Sequence, residues 1–472
     1  MTSIVKNTSY YTVANILPQA IGFLFLPIYS RYMTPSDFGI VAAMETLTYI
    51  FSIIVCFSLD RAAQRLYFDE VDLPGQKKVL STLFISSILF ACCFVFLAIL
   101  FEPMLQPIFS GIAFYPYFVF CILNVALNSL GLITTIYYQV SEQPLKYMII
   151  KLTRFICQIL MTVFFVVWLS EGAIGQLKAE LITIGLFIPF YLIIANKNFG
   201  WHFDIKILQN ALNYAWPFIP TLLVAWILNL SDRVFLERYV GLDELGSYSM
   251  GYKISMAFFV LTSAFSMAYT PVFYKMANSD DQIKAKMKLY KYACFAVIMF
   301  TFLMLAISLF VKEISDYMLD IRYAQSYQIV RIIIVSHLLS AIMGITSVLY
   351  LLQAKKTKLN MVVAIQASIL NIILNFILIP RYGMFGAAVA TTVSMVGLTI
   401  IQYQKSKSGY FIPVPWHRLT FLIMGCLAVI AFYQYYLESF PIISLVSKTL
   451  LLSILAVGAY LWIKNNMQRY VD

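Results

Sequence analysis

Apolar runs of about 20 residues, each long enough to cross a bilayer as a helix, recur along the whole chain. They are separated by short polar turns rich in Lys, Arg, Gly and Pro. The alternating runs of about ten residues that mark a transmembrane barrel are absent. The pattern predicts fourteen spans, starting near Tyr10, Phe38, Val79, Pro116, Met148, Ile174, Gln209, Leu245, Tyr290, Gln328, Leu359, Gly383, His417 and Ile443. No turn between them is long enough to fold by itself. The expected fold class is an all-α polytopic membrane protein of about 14 transmembrane helices.

The turns repeat. Arg31 to Gly39 reads Arg-Tyr, four variable residues, an acid, a large apolar residue and Gly, and the same spacing returns 207 residues on, from Arg238 to Gly246. Gly172-Ala-Ile-Gly175 recurs as Gly383-Met-Phe-Gly386, and Gln139 to Leu145 recurs as Gln353 to Leu359, at offsets of 211 and 214. Three markers in one order predict two homologous six-helix lobes around a central cavity. Their expected bounds are 1–208 and 209–408, with two additional helices over 409–472. An even number of spans per lobe gives both the same orientation and a pseudo-two-fold axis along the membrane normal.

Composition agrees with the pattern: 61% of residues are hydrophobic and 12% charged, against roughly 25% charged in soluble proteins. The net charge of +11 could signal nucleic acid, but most of the basic residues fall in the short turns on one side. That bias places those turns, and both termini, in the cytoplasm. No nucleic-acid partner is expected. The seven cysteines all lie in apolar segments without metal-ligand spacing and read as small core hydrophobes. The apolar run near the N-terminus is too long for a signal-peptide core and reads as a retained first helix.

An ionisable side chain inside a span is costly and faces a cavity or a partner. Glu45 enters the second span to nearly the depth at which Lys253 enters the eighth, and the repeat offset puts Glu45 opposite Tyr252. A charge pair that breaks when the halves rock is one reading; snorkelling within each half is the other. Lys178 and Glu180, two residues apart on one helix, point in different directions. Arg331 opens the tenth span and His337 lies deeper in it, as packing residue or proton carrier. Arg31, Arg233 and Arg381 sit at the outer ends of odd-numbered spans, with Asp232 beside Arg233. Arg65, at the inner end of the second span, could meet a cytoplasmic phosphate. Asn124 with Asn128, and Asn371 with Asn375, have i, i+4 spacing and line a polar path or bond between helices. Away from the cytoplasmic turns the intramembrane charge is mostly basic, which suits an anionic headgroup. The candidate headgroup-binding cations are thus Arg31, Arg65, Lys178, Lys253, Arg331 and Arg381; the candidate coupling or gating groups are Glu45, Glu180, Asp232 and His337.

Phosphate loops, Cys-x-x-Cys and His-Glu-x-x-His motifs and an Asp-x-Asp pair are missing from the sequence. Transport would draw on an ion gradient, the membrane potential or the gradient of the cargo. At Arg31-Tyr32 through Asp37-Phe38-Gly39, Asp60-Arg61-Ala62-Ala63 through Arg65, Pro217 with Ser231-Asp232-Arg233, and Gly246 through Lys253, the chain resembles the polysaccharide transporter family. These are the Wzx-type flippases of the multidrug/oligosaccharidyl-lipid/polysaccharide exporter superfamily. The resemblance covers essentially the whole length. It implies two six-helix lobes around a cavity that opens alternately to each side of a bacterial inner membrane. It also implies an undecaprenyl-pyrophosphate-linked oligosaccharide as cargo, with spans thirteen and fourteen helping to form a groove for its lipid tail. Lipid II flippases concentrate arginines in the first two helices, where this chain offers Arg31 and the acid Glu45, which argues against lipid II.

The expected function is therefore a flippase for an O-antigen or capsule repeat unit, not an enzyme, acting as a monomer among membrane lipids. It needs no cofactor beyond a coupling ion, H+ or Na+, and other glycan-assembly membrane proteins are its expected further partners. Two alternatives stay open: a multidrug or cation antiporter of the same superfamily, and a membrane enzyme of glycan assembly such as a polymerase or ligase.

Overall fold

The structure, a computed structural model, describes residues 2–412, 416–437 and 443–455. Every element among them is helical. The N-terminal half begins with α1 (Thr2–Leu24), α2 (Leu26–Tyr32), α3 (Pro35–Cys56), α4 (Leu59–Asp69) and α5 (Leu73–Leu100). It continues through the short α6 (Glu102–Leu105) to α7 (Val119–Val140), α8 (Pro144–Thr162) and α9 (Gly172–Asn198). The second half holds α10 (Ile205–Ala215), α11 (Phe218–Leu230), α12 (Asp232–Val240), α13 (Leu242–Ala277), α14 (Gln282–Met318), α15 (Ser326–Ile345), α16 (Ser347–Gln353) and α17 (Thr357–Ser406). After α18 (Trp416–Phe432) comes an apolar helix over Ile443–Leu455.

Local chemistry sets these bounds. Thr34 and Asp37 form a reciprocal capping box with Pro35 at the first helical position, which starts α3 two residues after α2 ends. Phe57 and Ser58, both with positive φ, separate α3 from α4. Pro217 removes one backbone donor, and α10 meets α11 at a 46° bend. Most helices begin a few residues before the predicted spans because their caps lie in the polar turns. A large difference is at α14, which starts at Gln282, where Asp281 accepts the Lys284 N–H; its first turns carry lysines and lie outside the apolar run.

Among the described residues ten helices can cross a membrane by length and composition, or up to twelve if each of two bent pairs is one span. That is fewer than the fourteen expected. The predicted eleventh and twelfth spans share the 50-residue α17, which is broken at Gly383 (φ 54°, ψ −134°). At 1.5 Å per residue this element is about 75 Å long, more than twice the hydrocarbon core. The predicted fourteenth span runs beyond Leu455, outside the described residues. The cysteines also differ from expectation: Cys121 is buried, but Cys92 and Cys93 on α5 are exposed.

The packing of the two halves changes along the bundle. Near the hairpins Arg31–Gly39 and Arg238–Gly246, apolar clusters draw on both halves: Met44, Phe118 and Ile122 with Tyr248 and Ile333, and Phe38 and Val41 with Met250 and Tyr323. Away from them the clusters separate. One uses first-half residues such as Leu83, Ile136 and Phe199 and takes in only Ala211 and Ala215 of α10 from the second half; another uses residues from Phe258 onward, including Phe300 and Tyr350. Apart from α10 and the bend after it, where Trp216 stacks on Phe57, the apolar clusters join the halves at the hairpin end.

Candidate functional site

The seam between the halves is built on two glycines. Gly39 in α3 and Gly246 in α13 are equivalent in the repeat, and each helix leaves no room for a side chain on the other. A Cβ at Gly246 would lie 1.8 Å from the Pro35 carbonyl oxygen, and one at Gly39 would lie 2.2 Å from that of Leu242. Pro35 and Leu242 are themselves 207 residues apart, so the contact is reciprocal. The acids of the two markers act alike as well. Asp37 accepts the Ala173 N–H at 3.2 Å, and Glu244 accepts the Met384 N–H at 3.0 Å. Each therefore caps the Gly-x-x-Gly turn of its own half, which explains why those turns repeat.

Two further contacts latch the same end, again as repeat equivalents. The Asp320 N–H donates to Ser30 Oγ at 3.2 Å, and the Gly111 N–H donates to the Glu237 carboxylate. Ser30 and Glu237 stand 207 residues apart. Around the first latch Arg322 donates to the carbonyls of Ser30 (3.1 Å) and Arg31 (3.0 Å), and Tyr323 Oη donates to that of Met33 (3.1 Å). Asp320 binds Arg322 Nε at 2.8 Å, and this partner holds its carboxyl below the usual aspartate range. The second latch joins the turn before α7 to α12.

Below the glycines, Lys253 Nζ donates to Glu45 Oε1 at 2.7 Å across the seam and lies 5.0 Å from the Phe38 ring centroid. The two side chains keep 34% and 45% exposure. Around the pair, α3 is packed by α5, α7, α9, α11, α12 and α13. At the residue after Glu45, the Trp226 indole donates to the Thr46 carbonyl at 3.0 Å, a further bond between the halves.

The other predicted residues are dispersed. Glu180 accepts from Asn124 (2.9 Å) and Gln176 (3.0 Å); Asn124 accepts from Asn128, which accepts from Arg154. This string ties α7, α8 and α9 together. Lys178 points away from it and pairs with Glu171 at 2.9 Å. Arg65 pairs with Asp69 one turn on, at 2.6 Å and well exposed. Asp232 binds Arg233 at 2.9 Å, deeply buried, and accepts from Tyr248 Oη, while the Arg233 guanidinium lies 4.7 Å from the Tyr252 ring centroid. Arg331 donates to the Ser308 carbonyl at 3.3 Å and lies over Tyr327. His337 Nε2 meets Ser255 Oγ at 3.1 Å, with its ring against Tyr252. Arg381 is exposed at the bend before Gly383, and Arg31 is exposed beside Val163 and Val167. Among the predicted cations, Lys253 is bonded to another residue of the predicted set, Glu45. Sequence reasoning missed Glu237, Arg322, Trp226 and the network role of Arg154.

A bundle of helices long and apolar enough to cross a membrane, held together at one end by reciprocal glycines and a charge pair, defines an integral membrane protein. Its fold is similar to that of the lipid II flippase MurJ in an inward closed conformation, with a TM-score of 0.73, 16% identity, and coverage of 97% of this chain and 99% of that one. It is also similar to an inward-facing multidrug resistance MATE transporter of the MOP superfamily (TM-score 0.63, 14% identity, 87% and 95% covered). The family described as polysaccharide biosynthesis protein matches residues 4–277, and the chain belongs to that family. The MatE family matches residues 217–377. Among curated relatives, the capsular polysaccharide biosynthesis protein CapF of Staphylococcus aureus is 23% identical over 85% of this chain and 99% of its own length. A Shigella dysenteriae protein named as an O-antigen transporter is 24% identical over 82% and 95%.

Proposed function

We propose that this protein is a flippase for undecaprenyl-pyrophosphate-linked oligosaccharide, an O-antigen or capsule-type repeat unit, moving it from the cytoplasmic to the periplasmic leaflet of a bacterial inner membrane by alternating access. The observation that carries the reading is the reciprocal closure at Gly39 and Gly246 over the half-exposed Glu45–Lys253 pair, in a chain of the polysaccharide biosynthesis family. In this reading the hairpin end faces the periplasm and both termini the cytoplasm. Two six-helix lobes rock against each other, with two further helices beside them, fourteen in all. The sugar-pyrophosphate head enters along the seam while the polyprenyl tail stays in lipid. Lys253 exchanges Glu45 for the pyrophosphate, and Glu45, left without its partner, takes up H+ or Na+ and so couples the cycle to an ion gradient. Opening to the periplasm then requires the Trp226–Thr46 bond and both latches to part.

The test is deletion of the gene followed by analysis of lipid-linked glycans on each face of the inner membrane. Complete repeat units should accumulate on the cytoplasmic face, and wild-type protein should clear them. Single units on the periplasmic face, left unpolymerised, would instead point to a polymerase. The MatE match over the second half supports a multidrug exporter as the second reading. Cells overproducing the protein should then extrude cationic dyes, which the flippase reading does not expect.

A further inference from the structure

The hollow beside Arg31 is separate from the seam. It measures about 270 Å³ and is lined by Pro27, Ile28, Arg31, Tyr32, Val163 and Val167. It lies between α2 and the helical turns Val163–Trp168 that extend α8. Four of its six walls are aliphatic and one carries a permanent positive charge. Leu160, Phe164 and Trp168 beside it are exposed, so this side of the bundle looks out to lipid. Exposed Tyr32 and Trp168 mark the level at which amphipathic rings meet the headgroups. Asp320 of this edge is bonded to Arg322 at 2.8 Å, and the Arg31 side chain that lines the hollow is exposed.

The repeat provides an internal comparison. Arg238 and Tyr239 are the counterparts of Arg31 and Tyr32, and at an offset of 213, between those of the flanking markers, Val163 corresponds to Phe376. In the second half the Phe376 ring packs edge-on against Tyr239, with centroids 6.5 Å apart. An aromatic ring thus stands where the first half has the smaller Val163 and a hollow. We propose that the hollow binds an anionic glycerophospholipid of the adjoining leaflet. The planar fork of Arg31 holds the phosphate through two parallel N–H···O bonds. One acyl chain lies along Pro27, Ile28, Val163 and Val167, apolar walls for which a free phosphate has no use. The assignment does not depend on the identity of the cargo.

The experiment uses the purified full chain and phosphatidylglycerol carrying a photoreactive group on one acyl chain, with the matching phosphatidylcholine as the zwitterionic control. Cross-links are mapped by mass spectrometry. Phosphatidylglycerol should label peptides containing residues 27–32 and 163–168. Arg31→Ala should cut that labelling about tenfold, the loss expected for charge-assisted hydrogen bonds. Val163→Phe, which copies the filling seen in the second half, should cut it comparably, whereas Arg31→Lys should keep part of it. Arg31 is exposed, so its variants should fold normally, as gel filtration checks. Equal labelling by phosphatidylcholine, or wild-type labelling of both Arg31→Ala and Val163→Phe, would overturn the proposal. Displacement of the probe by excess inorganic phosphate would also overturn it, in favour of a free-phosphate site.

Discussion

Gly246→Ala is the most direct test of the seam. The added methyl would sit 1.8 Å from the Pro35 carbonyl oxygen, and real Cβ contacts stay above 3.0 Å. The obstacle is backbone on the facing helix, so no side chain can swing aside, and α3 and α13 have to part by more than an ångström. Overpacking of this kind costs about 1–3 kcal/mol. Because the clash exists only while the hairpin end is closed, the cost falls on one state and shifts the equilibrium about 5- to 150-fold toward opening. The reporter is a cysteine at Ser249, buried in the closed seam, in a background lacking the native cysteines. A thiol reagent that cannot cross the membrane is added on the hairpin side, and labelling should accelerate by that factor. Gly39→Ala should act alike, since its Cβ would meet the Leu242 oxygen at 2.2 Å. The double variant should add little, because both remove one contact. Gly185→Ala is the control, with nothing within 4 Å of the new methyl. Unchanged labelling in a stably folded Gly246→Ala protein would refute the closure argument.

Other perturbations follow from the same geometry. Lys253→Ala should abolish glycan export without loss of protein, and Lys253→Glu combined with Glu45→Lys should restore hairpin-end closure, read by Ser249→Cys labelling, better than either single change. The half-exposed pair itself contributes only about 1 kcal/mol to closure, so its single variants should alter labelling far less than the glycine variants do. Glu237→Ala should speed labelling more than Ser30→Ala, because a hydrogen bond to a carboxylate is worth about 1.5–3 kcal/mol against about 1 for a hydroxyl. Asn124→Leu should lower the melting temperature, since it leaves the Glu180 carboxylate without one of its donors and breaks the string to Arg154. The Asp320 latch should be insensitive to pH. Its depressed pKa means the stabilisation is present above the ordinary aspartate range and fades only as the pH falls through the lower, folded value, so labelling between about pH 5 and about pH 8 should show no step from it.

How much of this was legible in the sequence depends on the range of each interaction. Apolar runs gave the helices, and caps within four residues, such as Thr34 with Asp37, explain why the real starts precede the apolar runs. The repeat was legible because Arg31–Gly39 and Arg238–Gly246 keep one spacing, but its glycines read only as turn formers. That they face each other, and that Asp37 and Glu244 reach the two Gly-x-x-Gly turns, depends on contacts across more than 130 residues. No local pattern records those. Glu45 and Lys253 were found because each is costly in an apolar span and the offset aligned them. Asn124 and Asn128 carried a visible signal in their i, i+4 spacing, but their partners Glu180 and Arg154 lie on other helices. The role of Arg154 is not legible because counting charges near span ends does not register which way a side chain turns. Nor does the spacing of charges show that Lys178 and Arg65 pair with acids of their own within seven residues, Glu171 and Asp69.

The pair at the seam also bears on why the two halves diverged. Residues that face each other across a two-fold axis are the same residue when the halves are identical. An acid at that depth would oppose an acid, and like charges in contact would drive the hairpin ends apart. Gly39 and Gly246 escape the problem because glycine against glycine is the closest packing available to either. Charged positions do not, and it is there that the copies differ: Glu45 against Lys253, one residue out of register, and Ser30 against Glu237 in the latches. The identical features set where the halves touch, while the unlike ones set how firmly they hold and what can replace the contact. Making the halves alike at this depth, with Lys253→Glu alone, should therefore favour the open hairpin end more than Lys253→Ala does. The Ser249→Cys labelling rate measures the difference: equal rates for the two variants would mean that the Glu45 charge does not act across the seam.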